Sequence, residues 1–345
     1  MAQAQLNQAG RGRANLDYSP RVSPMTDVVQ LHSTFYMPLI GFGTWQLPVS
    51  VTAARVRDAL DAGYRHIDCA ASFENMPQVA DAVNQWLVDR NAERADIFIS
   101  AKIWNTQHSS AECEKEIVKV QKLLFNTAYI DLMLIHWPMG WQEGGSLHPL
   151  APNGMKAASD IDYMETWRMM EKYQRKGAIR SIGFCNFNLK QAQRVWDEAD
   201  VKPSVIQLEL NPFCSQTEFR RFCSEKGIAL CAHSPLSNPG NRFQRRREHP
   251  NLLENETIQA IGRIHGKTPA QVLLRWIIDS NLCAVVKSSD PRHIRQNINI
   301  FKFRLSPEEM ARIDYLNIDL RIIDPIMGSV DHPHYPWPVS ERKKK

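Results

Sequence analysis

The chain has 345 residues, 43% hydrophobic and 23% charged, with a formal net charge of +5. That is globular composition with enough apolar residues for one sizeable core, which excludes a disordered or fibrous chain. The basic runs Arg245-Arg246-Arg247 and Arg342-Lys343-Lys344-Lys345 read as solvated, because no basic stripe interleaved with aromatics accompanies them. No apolar stretch approaches the roughly 20 residues that span a bilayer. Neither nucleic acid nor a membrane is therefore expected as a partner. The seven cysteines, at 69, 113, 185, 214, 223, 231 and 283, are odd in number and form no C-x-x-C pair. That pattern speaks against a disulfide framework and for a reducing compartment, the cytoplasm.

Residues 1–30 are expected to form a disordered extension. The first 24 lack an apolar h-region, so they are no secretory signal; Arg11, Arg13 and Arg21 with few acids leave a transit peptide as the alternative. Patterned sequence begins just after Met25, a plausible second start. Residues 33–35 followed by 37–45 are expected to form a small hairpin leading into a first buried strand. Apolar residues recur at helical spacing over 51–64 (Ala54, Val56, Ala59, Leu60). A strand at 66–70 follows, then a helix opened by Pro77. The alternation continues with strands at 97–104, 130–137, 179–187, 205–210, 228–233 and 282–287. Helices separate them at about 109–125, 163–176, 189–199, 216–226, 270–279 and 291–299. Ser109 or Ser110 caps the third helix, and Thr268 before Pro269 caps the one at 270–279. Extra helices are expected near 258–265 and 307–316, and a proline-rich irregular tail closes the chain.

Short, near-continuous apolar strands alternating with helices predict a parallel sheet buried on both faces. Eight such units predict an α/β fold, a closed (β/α)8 TIM barrel over residues 31–338, followed by a basic tail at 339–345. Chemistry in such a barrel sits at the C-terminal strand ends. Those ends carry Asp68, Lys102, His136, Cys185-Asn186, Gln207, His233 and Lys287-Ser288. Each alone has a bland reading as a salt-bridge partner or a satisfied core residue. Together they gather an acid, a base, imidazoles and amides on one face. Burial of an unpaired charge is costly, so Asp68 and Lys102 are expected to pair. Three decoys are set aside. Gly41-Phe42-Gly43 lacks the third glycine of a dinucleotide fingerprint, and residues 262–268 fall one residue short of a phosphate loop. His332-Pro333-His334 reads as a tail turn rather than a metal site, and no metal is expected.

These motifs resemble the aldo-keto reductase family. The resemblance rests on Met37-Pro38 with Gly41-Phe42-Gly43-Thr44-Trp45, His66-Ile67-Asp68, Ala101-Lys102-Ile103-Trp104, and Leu134-Ile135-His136-Trp137-Pro138. It continues through residues 182–188, Ser234-Pro235-Leu236, Lys287-Ser288 and residues 332–336. It implies reduction of small carbonyl compounds with NADP(H) by a catalytic Asp, Tyr, Lys and His. Asp68, Lys102 and His136 match three of these. The tyrosine position, five residues after Asp68, is Phe73, and Asn75 and Val79 hold that register although Met76 replaces the usual glutamate. The resemblance implies a cofactor site of Gly43, Thr44, Trp45, Asp68, Asn186, Gln207, Ser234, Leu236, Lys287, Ser288, Gln296 and Asn297. Cys185 stands for a serine, His233 for a stacking tyrosine and His293 for an arginine, with Arg292 and Arg295 beside it. Lys287 with Ser288 favours a 2′-phosphate. Residues 237–251, with Arg242 and Arg245–Arg247, correspond to a clasp over the pyrophosphate. Trp45, Phe73, Trp104, His136 and Trp137 are expected at the substrate, with outer walls from residues 140–158 and 322–337. The expectation is a monomeric oxidoreductase acting on a carbonyl or activated double bond with atypical proton delivery from His136, Lys102 or a water. The alternative is a catalytically impaired cofactor-binding member acting as a sensor or regulatory subunit.

Overall fold

A computed structural model describes residues 27–124, 129–237, 250–323 and 329–337. Two three-residue strands, β1 (Val28–Gln30) and β2 (Tyr36–Pro38), pair antiparallel. The hairpin therefore starts upstream of the expected position, and β1 lies inside the stretch assigned to a disordered extension. Eight further strands are β3 (Ile40–Gly43), β4 (His66–Asp68), β5 (Phe98–Ile103), β6 (Ile130–Ile135), β7 (Ile179–Cys185), β8 (Val205–Glu209), β9 (Ala229–His233) and β10 (Cys283–Val286). They close a parallel barrel in the order β10-β3-β4-β5-β6-β7-β8-β9, as the alternation predicts. The helices are α1 (Val49–Asp61), α2 (Met76–Arg90), α3 (Ser110–Leu123), α4 (Tyr163–Arg175), α5 (Leu189–Glu198), α6 (Thr217–Lys226), α7 (Glu256–His265), α8 (Pro269–Asp279), α9 (Pro291–Ile298) and α10 (Pro307–Asp314). Ser109 caps α3 by accepting from Glu112 N, and Thr268 caps α8 in a reciprocal box with Gln271.

Strand side chains alternate between faces, so parity along each strand decides what it packs against. On β5, Ile99, Ala101 and Ile103 face the helices and join the large outer core. Phe98, Ser100 and Lys102 face inward. Phe98 meets Leu132, Leu134, Cys185, Val205, Cys231, Cys283 and Val285 in a separate interior cluster. Leu31 and Met37 of the hairpin join that cluster and plug the N-terminal end. The inward residues grow polar towards the C-terminal end, where water and ligands can reach them. All seven cysteines are buried, and none is in a disulfide. The expected disorder of residues 1–26, the basic run at 245–247 and the tail at 339–345 lie outside the described residues.

Gly183 on β7 marks the tightest backbone approach. A Cβ there would stand 2.0 Å from the Val205 carbonyl oxygen and 2.8 Å from Leu134 Cδ2. Gly183→Ala should destabilise the barrel by about 1–3 kcal/mol or more, because a packed parallel ladder cannot move one strand alone. Thermal unfolding reads this directly, and an unchanged midpoint would show that β7 and β8 can spread.

Candidate active site

Asp68 ends β4 and sits opposite Ser100 in the β4–β5 register, with Lys102 two residues further on the same face. That register sets the first contacts. Lys102 Nζ donates to Asp68 Oδ2 at 2.5 Å, while Oδ1 accepts from Ser100 Oγ at 2.7 Å and Gln207 Nε2 at 3.2 Å. The expected ion pair is present, and both side chains are almost fully buried. Below it, His66 Nε2 lies 2.8 Å from Ser100 Oγ, in room made by Gly41, where a Cβ would stand 2.6 Å from the His66 ring. Burial alone would raise the Asp68 carboxyl, but the ammonium and the hydroxyl outweigh it and hold it below the usual carboxylate range. Burial likewise pulls Lys102 down, yet Asp68 holds it above its ordinary value. The lysine is therefore a fixed cation.

Phe73 reaches this pair from a 3-10 turn, Ala71–Phe73, that follows β4. Asn75 fastens the turn by donating from Nδ2 to the Thr44 carbonyl at 2.8 Å. Lys102 Nζ lies 5.2 Å from the centre of the Phe73 ring, a cation–π distance. The same ring meets His136 edge-on at 5.7 Å, and Trp104 meets His136 at 5.0 Å. Ser72 Oγ lies 3.4 Å from His136 Nδ1. Asn186 donates to the His136 carbonyl at 3.0 Å and contacts His233 Nε2 through Oδ1 at 2.8 Å. Burial, then Lys102 and His233, push His136 well below 6.5; burial, then Lys102 and Arg321, lower His233 to about 3. Both rings are neutral at physiological pH.

These groups open into one cavity of about 1000 Å³ at the C-terminal mouth. That size suits a nucleotide and a small substrate together. Of the residues expected at the cofactor, Gly43, Trp45, Asp68, Asn186, Gln207, His233, Ser234 and Leu236 line it. So do Lys287, Ser288, His293, Gln296 and Asn297, around the N-terminus of α9. Three do not. Thr44 is fully buried and donates to the Asp68 carbonyl, Cys185 is buried with Sγ on Gln207 Oε1, and Arg292 folds back onto Asp290. The clasp at 237–251 lies almost wholly outside the described residues.

Trp45, Phe73, Trp104, His136 and Trp137 line the other end. Trp104, Trp137 and Trp141 pack with Ile323 and Tyr335 into an aromatic wall. Ser72 from the 3-10 turn and Thr268–Ala270 from the α8 N-terminus, missed in the sequence, also line the cavity, as do His148 and Ile323 from the segments expected as outer walls, 140–158 and 322–337. Glu209, wholly buried on β8, anchors that tail by accepting from the Ile322 and Ile323 amides, the latter at 2.7 Å. A charge inside an apolar strand was its only sequence signal. His332 Nε2 contacts the Gly140 carbonyl at 2.9 Å, which fits the tail-turn reading. Among the described residues no tyrosine lines the cavity, and no cluster suits a metal ion.

The fold and this acid–lysine–imidazole end of a barrel define an oxidoreductase class. The aldo/keto reductase family profile matches residues 39–318. Aldo-keto reductase family 1 member A1 of Gallus gallus is 36% identical over 90% of this chain and 97% of its own length. The Homo sapiens protein of that name is also 36% identical, over the same shares. The aldose reductase of Schistosoma japonicum superimposes with a TM-score of 0.84 at 32% identity, covering 92% of this chain and 100% of that one. The chain belongs to the aldo/keto reductase family.

Lys102→Met leaves the Asp68 carboxylate buried without its cation, which should cost about 3–5 kcal/mol of stability at neutral pH. The sign of the pH response should also invert. In the wild type the depressed Asp68 pKa makes the pair's contribution fade as pH falls through it. In the variant burial raises that pKa above its unfolded value, so acidification recovers stability. Denaturant unfolding at pH 4 and pH 7 checks both; a variant that keeps the wild-type slope would show that the carboxylate is held by Ser100 and Gln207 alone.

Proposed function

We propose that the chain is an NADP(H)-dependent reductase of small carbonyl compounds whose proton delivery does not pass through a phenol. The observation that carries this reading is the convergence of Asp68, Lys102 and His136 on Phe73 in one cavity. The rest of the cavity is suited to a pyridine nucleotide. Asn186 and Ser234 follow β7 and β9 with positive φ of 58° and 51°. Such backbone is uncommon for non-glycine residues, and here it holds two polar side chains at the cavity. Lys287 and Ser288 beside the α9 N-terminus suit a 2′-phosphate. A reduced nicotinamide bound there would supply the electron pair and one hydrogen. The residues would supply the rest: Lys102 a fixed positive charge against the developing oxyanion, His136 a neutral N–H donor, and Asp68 the counter-charge that keeps Lys102 in place. The aromatic wall of Trp45, Trp104 and Trp137 suits an apolar carbonyl substrate.

A second reading, a nucleotide-binding member with impaired catalysis, draws support from two contacts. The Phe73 ring sits over Lys102 where a hydroxyl would be needed, and the Asn186 amide is already bonded at both ends. Restoring the phenol separates the two. Phe73→Tyr should raise aldehyde reduction by ~10²-fold or more, the typical contribution of a positioned acid. NADPH binding, followed by fluorescence quenching, should not change. Tight binding with no gain in rate favours the binding protein, and no NADPH binding at all defeats both.

His136 carries a further expectation. Its pKa lies well below 6.5, so kcat should show no ionisation limb from this ring between about pH 6 and 8. A limb near the ordinary histidine pKa, abolished by His136→Gln, would show that the ring is far less buried in the working enzyme.

A further inference from the structure

Ser72 has no part in the machinery described above. It is half-buried, lines the cavity beside Phe73, and brings Oγ to 3.4 Å from His136 Nδ1. That distance is long, as catalytic hydrogen bonds often are before a substrate closes the site. The placement answers a difficulty at His136. A neutral imidazole has one N–H, and losing it outright leaves a high-energy anion. The ring can give up the Nε2 proton easily only if Nδ1 receives another at the same moment. Forming the cation first is disfavoured by burial, Lys102 and His233. Lys102 is a poor alternative, since Asp68 holds its proton and the Phe73 ring lies over it.

We propose that Ser72 and His136 together replace the missing phenol, with the Ser72 hydroxyl feeding His136 Nδ1 while Nε2–H protonates the substrate oxyanion. This inference rests on the reductase reading. The Nε2–H bond breaks as the substrate O–H bond forms, and the Ser72 O–H bond breaks as Nδ1–H forms. No electrons are exchanged in this step. In the same event a cavity water protonates the Ser72 oxygen and leaves as hydroxide, which bulk solvent neutralises, so no alkoxide builds up; after product leaves, water and Ser72 return the ring to its Nε2–H tautomer. One solvent proton is consumed per turnover. Ser72 is exposed enough to the cavity to be recharged in this way.

The test uses the full-length chain with NADPH and an aromatic aldehyde. Ser72→Ala should lower kcat by ~10²-fold with NADPH quenching unchanged, and Ser72→Thr should keep most of the rate. In a Phe73→Tyr background the same Ser72→Ala change should cost less than about two-fold, because the phenol takes over and the effects no longer add. Without cofactor, ¹⁵N spectra should show His136 as the Nε2–H tautomer with Nδ1 accepting, and Ser72→Ala should shift Nδ1 towards a free acceptor. Equal losses in both backgrounds would reveal a structural role and overturn the relay, as would an unmoved Nδ1 resonance. Wild-type turnover indifferent to Ser72 sinks this inference alone. Tight NADPH binding with no turnover of any carbonyl sinks it together with the reductase reading.

Discussion

The buried ion pair between Lys102 and Asp68 is the constraint around which the mouth of the barrel is arranged. Two charges taken out of water need each other and need further hydrogen bonds, or the fold loses several kcal/mol. Ser100 and Gln207 provide those bonds from two different strands, and His66 supports Ser100 from below. The pair thus ties β4, β5 and β8 together at one depth. Their register then fixes where every neighbouring strand end falls. The chemistry inherits its geometry from an electrostatic requirement of folding.

That arrangement also determines what kinds of acid the cavity can hold. A cation locked by a carboxylate stabilises negative charge nearby but resists giving up its proton. The same cation helps to keep the two imidazoles uncharged. Such a site is electrostatically prepared for an oxyanion and short of mobile protons. The Phe73 ring deepens the shortage, since it has the right shape to cover Lys102 and no polar atom to offer. Membership of the aldo/keto reductase family follows from the whole chain. The unusual behaviour expected here follows from one aromatic side chain.

Much of the barrel was legible because burial on both faces gives each strand an apolar run, and a polar residue ending such a run is conspicuous. Asp68, Lys102, His136, Gln207 and His233 were readable in this way. The hairpin was displaced because strands of three residues, such as Val28–Gln30, carry no usable periodicity. Ser72 was missed because it comes from a turn whose path depends on tertiary contacts, whereas His148 and Ile323 fall within the loop and tail expected as outer walls. Thr44 and Cys185 were assigned to the cofactor, but in the structure they turn to Asp68 and Gln207. Arg292 was diverted by its own helix cap, Asp290. Sequence spacing places a backbone at the site; competition among nearby partners decides where its side chain points.

Glu209 gives the aromatic wall of the cavity an unexpected structural connection. It shares one face of β8 with Gln207, two residues earlier, and Gln207 touches the Asp68 carboxylate. Glu209 itself grips the amides of Ile322 and Ile323, and Ile323 borders the cavity. The tail residue that borders the cavity is therefore held by the same short strand that steadies the carboxylate beneath. Ile323 at the rim and the Asp68 carboxylate at the floor are thereby joined through a single strand.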